Sequence, residues 1–146
     1  MIANTDNKDK PLARLLVVDD DRDTVRVLAL SLHKYGFLVD AFSNPEEALQ
    51  EIKSNPESYS LVLSDSLMPK LSGIQLAKKV KETNPNMKVL LLTGSEIIDN
   101  ASTDVPSSTT VVVDGFIRKP IGITKLTDKI LSVIGETKGR SSSFRG

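Results

Sequence analysis

Apolar residues in this chain fall into short unbroken runs, separated by stretches in which they recur at helical spacing. Leu15-Leu16-Val17-Val18, Leu61-Val62-Leu63 and Val89-Leu90-Leu91-Leu92 carry no polar interruption, the pattern of strands covered on both faces. Phe37–Phe42 predicts another strand. Asp114-Gly115 breaks the run Val111–Ile117, so a fifth strand is expected over Phe116–Arg118 alone. Between the runs, Val25, Leu28, Ala29 and Leu32 sit at i, i+3, i+4 and i+7, the stripe of an amphipathic helix that Gly36 stops in a left-handed conformation. Asn44-Pro45-Glu46-Glu47 predicts a helix start, with Asn44 as N-cap, Pro45 in the first turn and Glu47 as capping partner; Ala48, Leu49 and Ile52 form its buried side. Ile74, Ala77 and Val80 mark a third helix that begins after Ser72-Gly73 and ends at Asn84-Pro85, with Lys78, Lys79 and Lys81 on its wet side. Ile123, Leu126, Ile130 and Val133 line a last helix, expected to stop at Gly135. Ser95–Thr110, dominated by Ser, Thr, Asp and Asn and interrupted by Pro106, supports only a short or irregular helix.

Strands alternating with helices imply parallel crossovers and a three-layer α/β sandwich. The expected fold is a flavodoxin-like, doubly wound, five-stranded parallel sheet of order 2-1-3-4-5, with the helix before the fifth strand short or irregular. The 146 residues suit one domain: residues 12–135 form it, and residues 1–11 and 136–146 are expected as flexible tails. Neither a repeat nor a second domain is legible.

Composition narrows the partners and the chemistry. Lys plus Arg equals Asp plus Glu at 19 each, so bulk charge draws the chain to neither nucleic acid nor a membrane surface. The absence of cysteine removes disulfides, thiolate metal sites and thiol nucleophiles. No apolar run approaches the roughly 20 residues of a membrane span, and Met1–Lys10 lacks the apolar centre of a signal peptide. A cytoplasmic location is the expectation.

In the 2-1-3-4-5 order, strands 1 and 3 are neighbours, and ligands sit at the carboxyl ends of the strands. Asp19 and Asp20 end strand 1 and Asp65 ends strand 3. Neighbouring strands are about 5 Å apart, so the three carboxylates crowd one pocket and either take up protons or hold a cation. Oxygen-only ligands favour a hard ion, Mg2+ above all. Thr93 and Lys119 end strands 4 and 5 on the same edge. A carboxylate nucleophile beside a divalent cation, with an ammonium and a hydroxyl at its flanks, suits phosphoryl transfer, which depends on positioning and charge neutralisation. Taken singly, each residue has a plainer role: Asp19, Asp20, Asp21 and Asp23 as helix caps, Thr93 as a β-branched strand residue, Lys119 as a surface lysine. His33, on the first helix, is expected to face solvent.

Val17-Val18-Asp19-Asp20-Asp21, Asp65-Ser66-Leu67-Met68-Pro69 with Gly73, Thr93-Gly94 and Phe116-Ile117-Arg118-Lys119-Pro120 together resemble the response-regulator receiver domain of two-component signalling, over about residues 12–135. The resemblance implies a phosphoacceptor at Asp65, and Mg2+ held by Asp19, Asp20, Asp65 and the backbone carbonyl of Leu67. It implies Thr93 as the switch hydroxyl, Phe116 as the switch aromatic, Lys119 as the phosphate-binding cation and a cis bond before Pro120. It also implies a sensor histidine kinase or phosphotransfer protein upstream, an unnamed protein downstream, and no turnover of external substrates. With no output domain expected after Gly135, the signal would leave through a protein partner. Two departures stand out: the poor helix at Ser95–Thr110, which makes any familiar output surface unsafe to infer, and apolar Leu67 where a polar side chain would orient attacking water. Other readings are a phosphorylation-independent adaptor that keeps the fold, a phosphorelay intermediate and a Mg2+-dependent phosphatase with an Asp nucleophile. The last generally needs a second acid two residues after the nucleophile, a place that Leu67 occupies.

Overall fold

In a computed structural model of the chain, which describes residues 11–94 and 113–143, the apolar runs form strands and the periodic stretches form helices. The elements are β1 (Arg14–Val18), α1 (Arg22–Lys34), β2 (Leu38–Phe42), α2 (Pro45–Ser54), β3 (Leu61–Asp65), α3 (Gly73–Thr83), β4 (Lys88–Thr93), β5 (Gly115–Arg118) and α4 (Ile123–Ser143). All strand pairs are parallel and the sheet order is β2-β1-β3-β4-β5, as expected for a doubly wound sheet. The helix expected within Ser95–Thr110 lies outside the described residues.

Alternation along the strands explains why they read as unbroken apolar runs. Leu16, Val18, Val62 and Leu91 face one layer, against Ala48 and Ile52 of α2 and Leu76, Ala77 and Val80 of α3. Leu15, Val17, Leu61, Leu63, Leu90 and Leu92 face the other, against Val25 and Leu32 of α1 and Leu126, Ile130 and Val133 of α4. With helices on both faces, no side of a central strand is left to water.

Helix starts follow the local chemistry. Asn44 accepts from the N–H groups of Glu46 and Glu47. Ser72 and Gln75 close a reciprocal capping box on α3, for which the sequence carried the signature Ser-x-x-Gln. Gly36, at φ 105, follows α1 as expected. The last helix departs from expectation: it passes through Gly135 and continues to Ser143, while residues 1–10 and 144–146 of the expected tails lie outside the described residues. A helical glycine costs only about 1 kcal/mol, and a glycine stop requires the left-handed conformation, which among the described glycines Gly36 alone adopts.

A second correction concerns Lys81 and Asp114. Lys78 and Lys79 are exposed, but Lys81 turns onto Asp114, with Nζ 2.9 Å from Oδ2. The same carboxylate oxygen accepts the Val89 N–H at 2.7 Å, and the Asp114 N–H donates to the Val89 carbonyl at 2.7 Å. The residue that interrupts the apolar run thus joins the start of β4, the approach to β5 and the end of α3. Asp114→Ala leaves the Val89 N–H without this acceptor, and a loss of about 1–3 kcal/mol is expected. Urea unfolding checks this; an unchanged midpoint and slope would refute it.

Candidate functional site

Register places the chemistry. Val18 pairs with Ser64, so Asp19, one residue on, comes level with Asp65. Asp65 pairs with Leu92 and Thr93 with Arg118, which brings Lys119 to the same rim. Three backbone bonds extend the ladder past the strand ends: Asp19 N–H to Phe42 O at 3.1 Å, Ser66 N–H to Leu92 O at 2.8 Å and Lys119 N–H to Thr93 O at 2.7 Å. The rim is therefore held by main chain, and the side chains it presents are not carried on loose loops.

Asp19, Asp20 and Asp65 each bring one carboxylate oxygen within 4.8 Å of the others. Asp19 and Asp65 are buried and Asp20 is exposed. Lys119 Nζ lies 2.8 Å from Asp65 Oδ1. Three carboxylates against one ammonium leave a formal charge of −2 at the rim. The Asp19 carboxyl is accordingly held above its usual range, chiefly by burial, with Asp65 and Asp20 adding repulsion; the Asp21 N–H and Lys119 pull the other way. Oxygen-only donors, converging and under-neutralised, fit a hard divalent cation of the Mg2+ kind.

A raised carboxyl pKa in the folded state means that the fold binds more protons than the unfolded chain above the ordinary value of 3.8. This group's contribution to stability therefore falls as pH rises from 3.8 through its folded value, and is constant beyond it. Asp19→Asn removes the buried charge. Without divalent ions it is expected to raise stability by on the order of 1 kcal/mol at neutral pH, and to abolish most of the Mg2+-dependent rise in melting temperature. Thermal unfolding in EDTA and in Mg2+ checks both; a lower melting temperature in EDTA would count against buried repulsion.

Thr93 is fully buried at the end of β4, its hydroxyl donating to Gly94 O at 3.1 Å. Leu67 follows on the loop with an exposed side chain. Phe116 on β5 is half-buried against the layer containing Val62 and Leu91. The bond between Lys119 and Pro120 is cis. His33 is exposed on α1, with Nδ1 3.2 Å from the Phe37 carbonyl oxygen. Beside the acidic cluster an open groove of about 510 Å3 runs between α1 and the turn after β5, walled by Val27, Leu28, Leu92, Ile123 and Leu126 and reaching Lys119.

Three contributors went unassigned in the sequence. Asp21, one of four aspartates with capping as a plainer role, proves to be the N-cap of α1. Ser64, wholly buried, donates from Oγ to the Asp65 carbonyl at 2.8 Å; its one signal is a polar residue in an otherwise apolar strand. Gly73 packs so closely that an added Cβ would lie 2.5 Å from Asp65 O and 2.9 Å from Ser66 Cα, a proximity invisible until β3 and α3 are placed.

Residues 15–131 match the response regulator receiver domain family. The response regulator receiver protein CpdR of Brucella abortus is 32% identical over 120 residues, covering 82% of this chain and 94% of the relative. A transcriptional regulatory protein, the CpxR homolog of Haemophilus influenzae, is 32% identical over 134 residues, which cover 91% of this chain but 55% of the relative. Among solved structures, a response regulator receiver domain protein from Clostridium thermocellum superposes with a TM-score of 0.78 at 31% identity, covering 87% of this chain and 98% of the other. The response regulator TrrA from Thermotoga maritima, solved in complex with Mg2+-BeF, gives 0.71 at 28% identity, covering 84% and 99%. No described helix is long and apolar enough to cross a membrane.

Proposed function

The chain belongs to the response-regulator receiver domain family, whose members accept phosphoryl groups, and from that premise we propose that Asp65 is its acceptor and that it works as a stand-alone regulator in the cytoplasm, signalling by altered binding to another protein. The observation that carries this is the meeting of Asp65 with Lys119, Asp19 and Asp20 at one sheet edge. The donor is the phosphohistidine of a sensor kinase or phosphotransfer protein. A carboxylate oxygen of Asp65 bonds to phosphorus as the N–P bond breaks, and the electron pair returns to the imidazole nitrogen. Lys119 and the Thr93 hydroxyl meet the phosphoryl oxygens, and Thr93 with Phe116 carries the change to the surface. Asp19, Asp20, Asp65 and the Leu67 carbonyl would hold Mg2+, which when bound neutralises oxygen charge on the transferred group. The chain assists its own phosphorylation and dephosphorylation and turns over no external substrate; neither nucleic acid nor a membrane is its partner. Stand-alone action is supported by the near-complete coverage of CpdR; the lower coverage of the CpxR homolog is the contrary case.

The test is incubation with a small-molecule phosphodonor, in Mg2+ and in EDTA, followed by borohydride reduction and peptide mapping. One phosphoryl group on Asp65, formed only with Mg2+, is the expected result. A phosphoryl group mapped elsewhere, or formed equally in EDTA, overturns the assignment.

Because Leu67 offers no polar group to orient water, the phosphorylated form is expected to be long-lived. Leu67→Asn is expected to hasten phosphate loss about 3- to 10-fold, well below what full general-base positioning supplies. Equal or slower loss in the variant, followed by phosphate release, would contradict this.

A further inference from the structure

We infer that Asp21 is a positioning residue for the divalent cation, holding Asp19 in its metal-binding orientation through the first turn of α1; this rests on the assignment of Asp19 and Asp20 as Mg2+ ligands. Asp21 is exposed and stands outside the trio of converging carboxylates, so its action is through neighbours. Its backbone N–H donates to Asp19 Oδ1 at 2.9 Å. Its own Oδ1 accepts the N–H groups of Asp23 at 3.0 Å and Thr24 at 3.2 Å, and its carbonyl accepts the Val25 N–H at 3.0 Å. The side-chain bonds hold Asp21 at φ −88 and ψ 111, and that backbone conformation sets the direction of the N–H on which Asp19 rests. With one oxygen of Asp19 tied to that N–H, rotation of the buried carboxylate is restricted and the face it turns to Asp20 and Asp65 is set before the ion arrives. Partners of metal ligands act in this way generally, by removing orientations the ligand would otherwise sample.

The competing account is simpler: Asp21 adds one more negative charge near a cation. Asp21→Asn, Asp21→Ser and Asp21→Ala separate the two. All three lose the charge equally, but Asn and Ser retain an oxygen that caps the helix and Ala does not. Calorimetric titration of the full chain with MgCl2 gives the dissociation constant without reference to phosphorylation, and thermal unfolding in EDTA confirms that each variant is folded. Asn and Ser are expected to agree within about twofold, with Ala weaker than either by about fivefold or more, toward the tenfold loss typical of such partners. In an Asp19→Ala background, which has no oxygen to accept the Asp21 N–H, the difference between Asp21→Ala and Asp21→Asn is expected to vanish, because the effect travels through Asp19.

Equal affinity in Ala and Asn overturns the inference and leaves only charge. A difference that persists undiminished in Asp19→Ala overturns it as well, by showing a route that bypasses Asp19. Wild-type protein that binds Mg2+ while the three variants bind alike sinks only the role of Asp21. Wild-type protein that binds no Mg2+ sinks the metal assignment and this inference with it.

Discussion

Asp65→Asn is expected to acquire no phosphoryl group under conditions in which the wild type is stoichiometrically phosphorylated. The substitution is nearly isosteric, yet it removes the proposed nucleophile, since a neutral amide does not attack phosphorus at a useful rate. It also withdraws the partner of Lys119, whose Nζ lies 2.8 Å from Asp65 Oδ1, and one of the three converging oxygens. Intact mass after incubation with a phosphodonor and Mg2+ checks the first effect. Calorimetry checks the second, a loss of Mg2+ affinity of about tenfold or more, because a hard cation loses an anionic ligand. The fold is expected to survive, since removing a charge from an under-neutralised acidic cluster relieves repulsion. Retained phosphorylation at wild-type rate would move the acceptor elsewhere. Loss of phosphorylation together with unfolding would leave the catalytic account unsupported and the structural one wrong.

Gly73→Ala is expected to impair the site without touching any charged group. The glycine begins α3, its N–H donating to Ser66 O at 3.0 Å, while the neighbouring carbonyl, of Asp65, accepts from Ser64 Oγ. A Cβ there would stand 2.5 Å from Asp65 O and 2.9 Å from Ser66 Cα. Both are main-chain atoms, and neither can swing aside as a side chain would. Either α3 moves outward, giving up packing of Leu76 and Ala77 against the sheet, or the Asp65–Ser66 segment shifts at the active rim. A cost of about 1–3 kcal/mol in stability is expected from overpacking, with a fall in phosphorylation rate of about 10- to 100-fold, the usual consequence of displacing a reacting group by near an ångström. Urea unfolding and the rate of phosphoryl uptake measure the two separately. Wild-type values for both would mean that the close approach is not maintained in solution.

Much of the arrangement is legible in the amino-acid sequence. Continuous runs such as Val89–Leu92 announced strands covered on both faces, and the i, i+3, i+4, i+7 stripe from Val25 announced α1. Asn44-Pro45 marked the start of α2. The acids and the lysine were found because each ends a strand, where a parallel sheet presents its chemistry. Gly135 misled because glycine is a weak breaker unless tertiary surroundings make use of its left-handed conformation. Lys81 misled because helical position alone separates a wet face from a dry one but cannot show that Asp114, 33 residues on, comes close enough to claim it.

The amino-acid order by itself determined which segments become strands and helices, and which reactive groups stand at their ends, since both follow from spacing over a few residues and from side-chain chemistry. Tertiary structure alone decided that Asp19 is buried while Asp20 is exposed, that Asp114 ties β4 to α3, that α4 runs past Gly135, and that Gly73 has no room for a methyl group. Those outcomes depend on the register of segments tens of residues apart and on distances of a few ångströms between their backbones, quantities that no local pattern encodes.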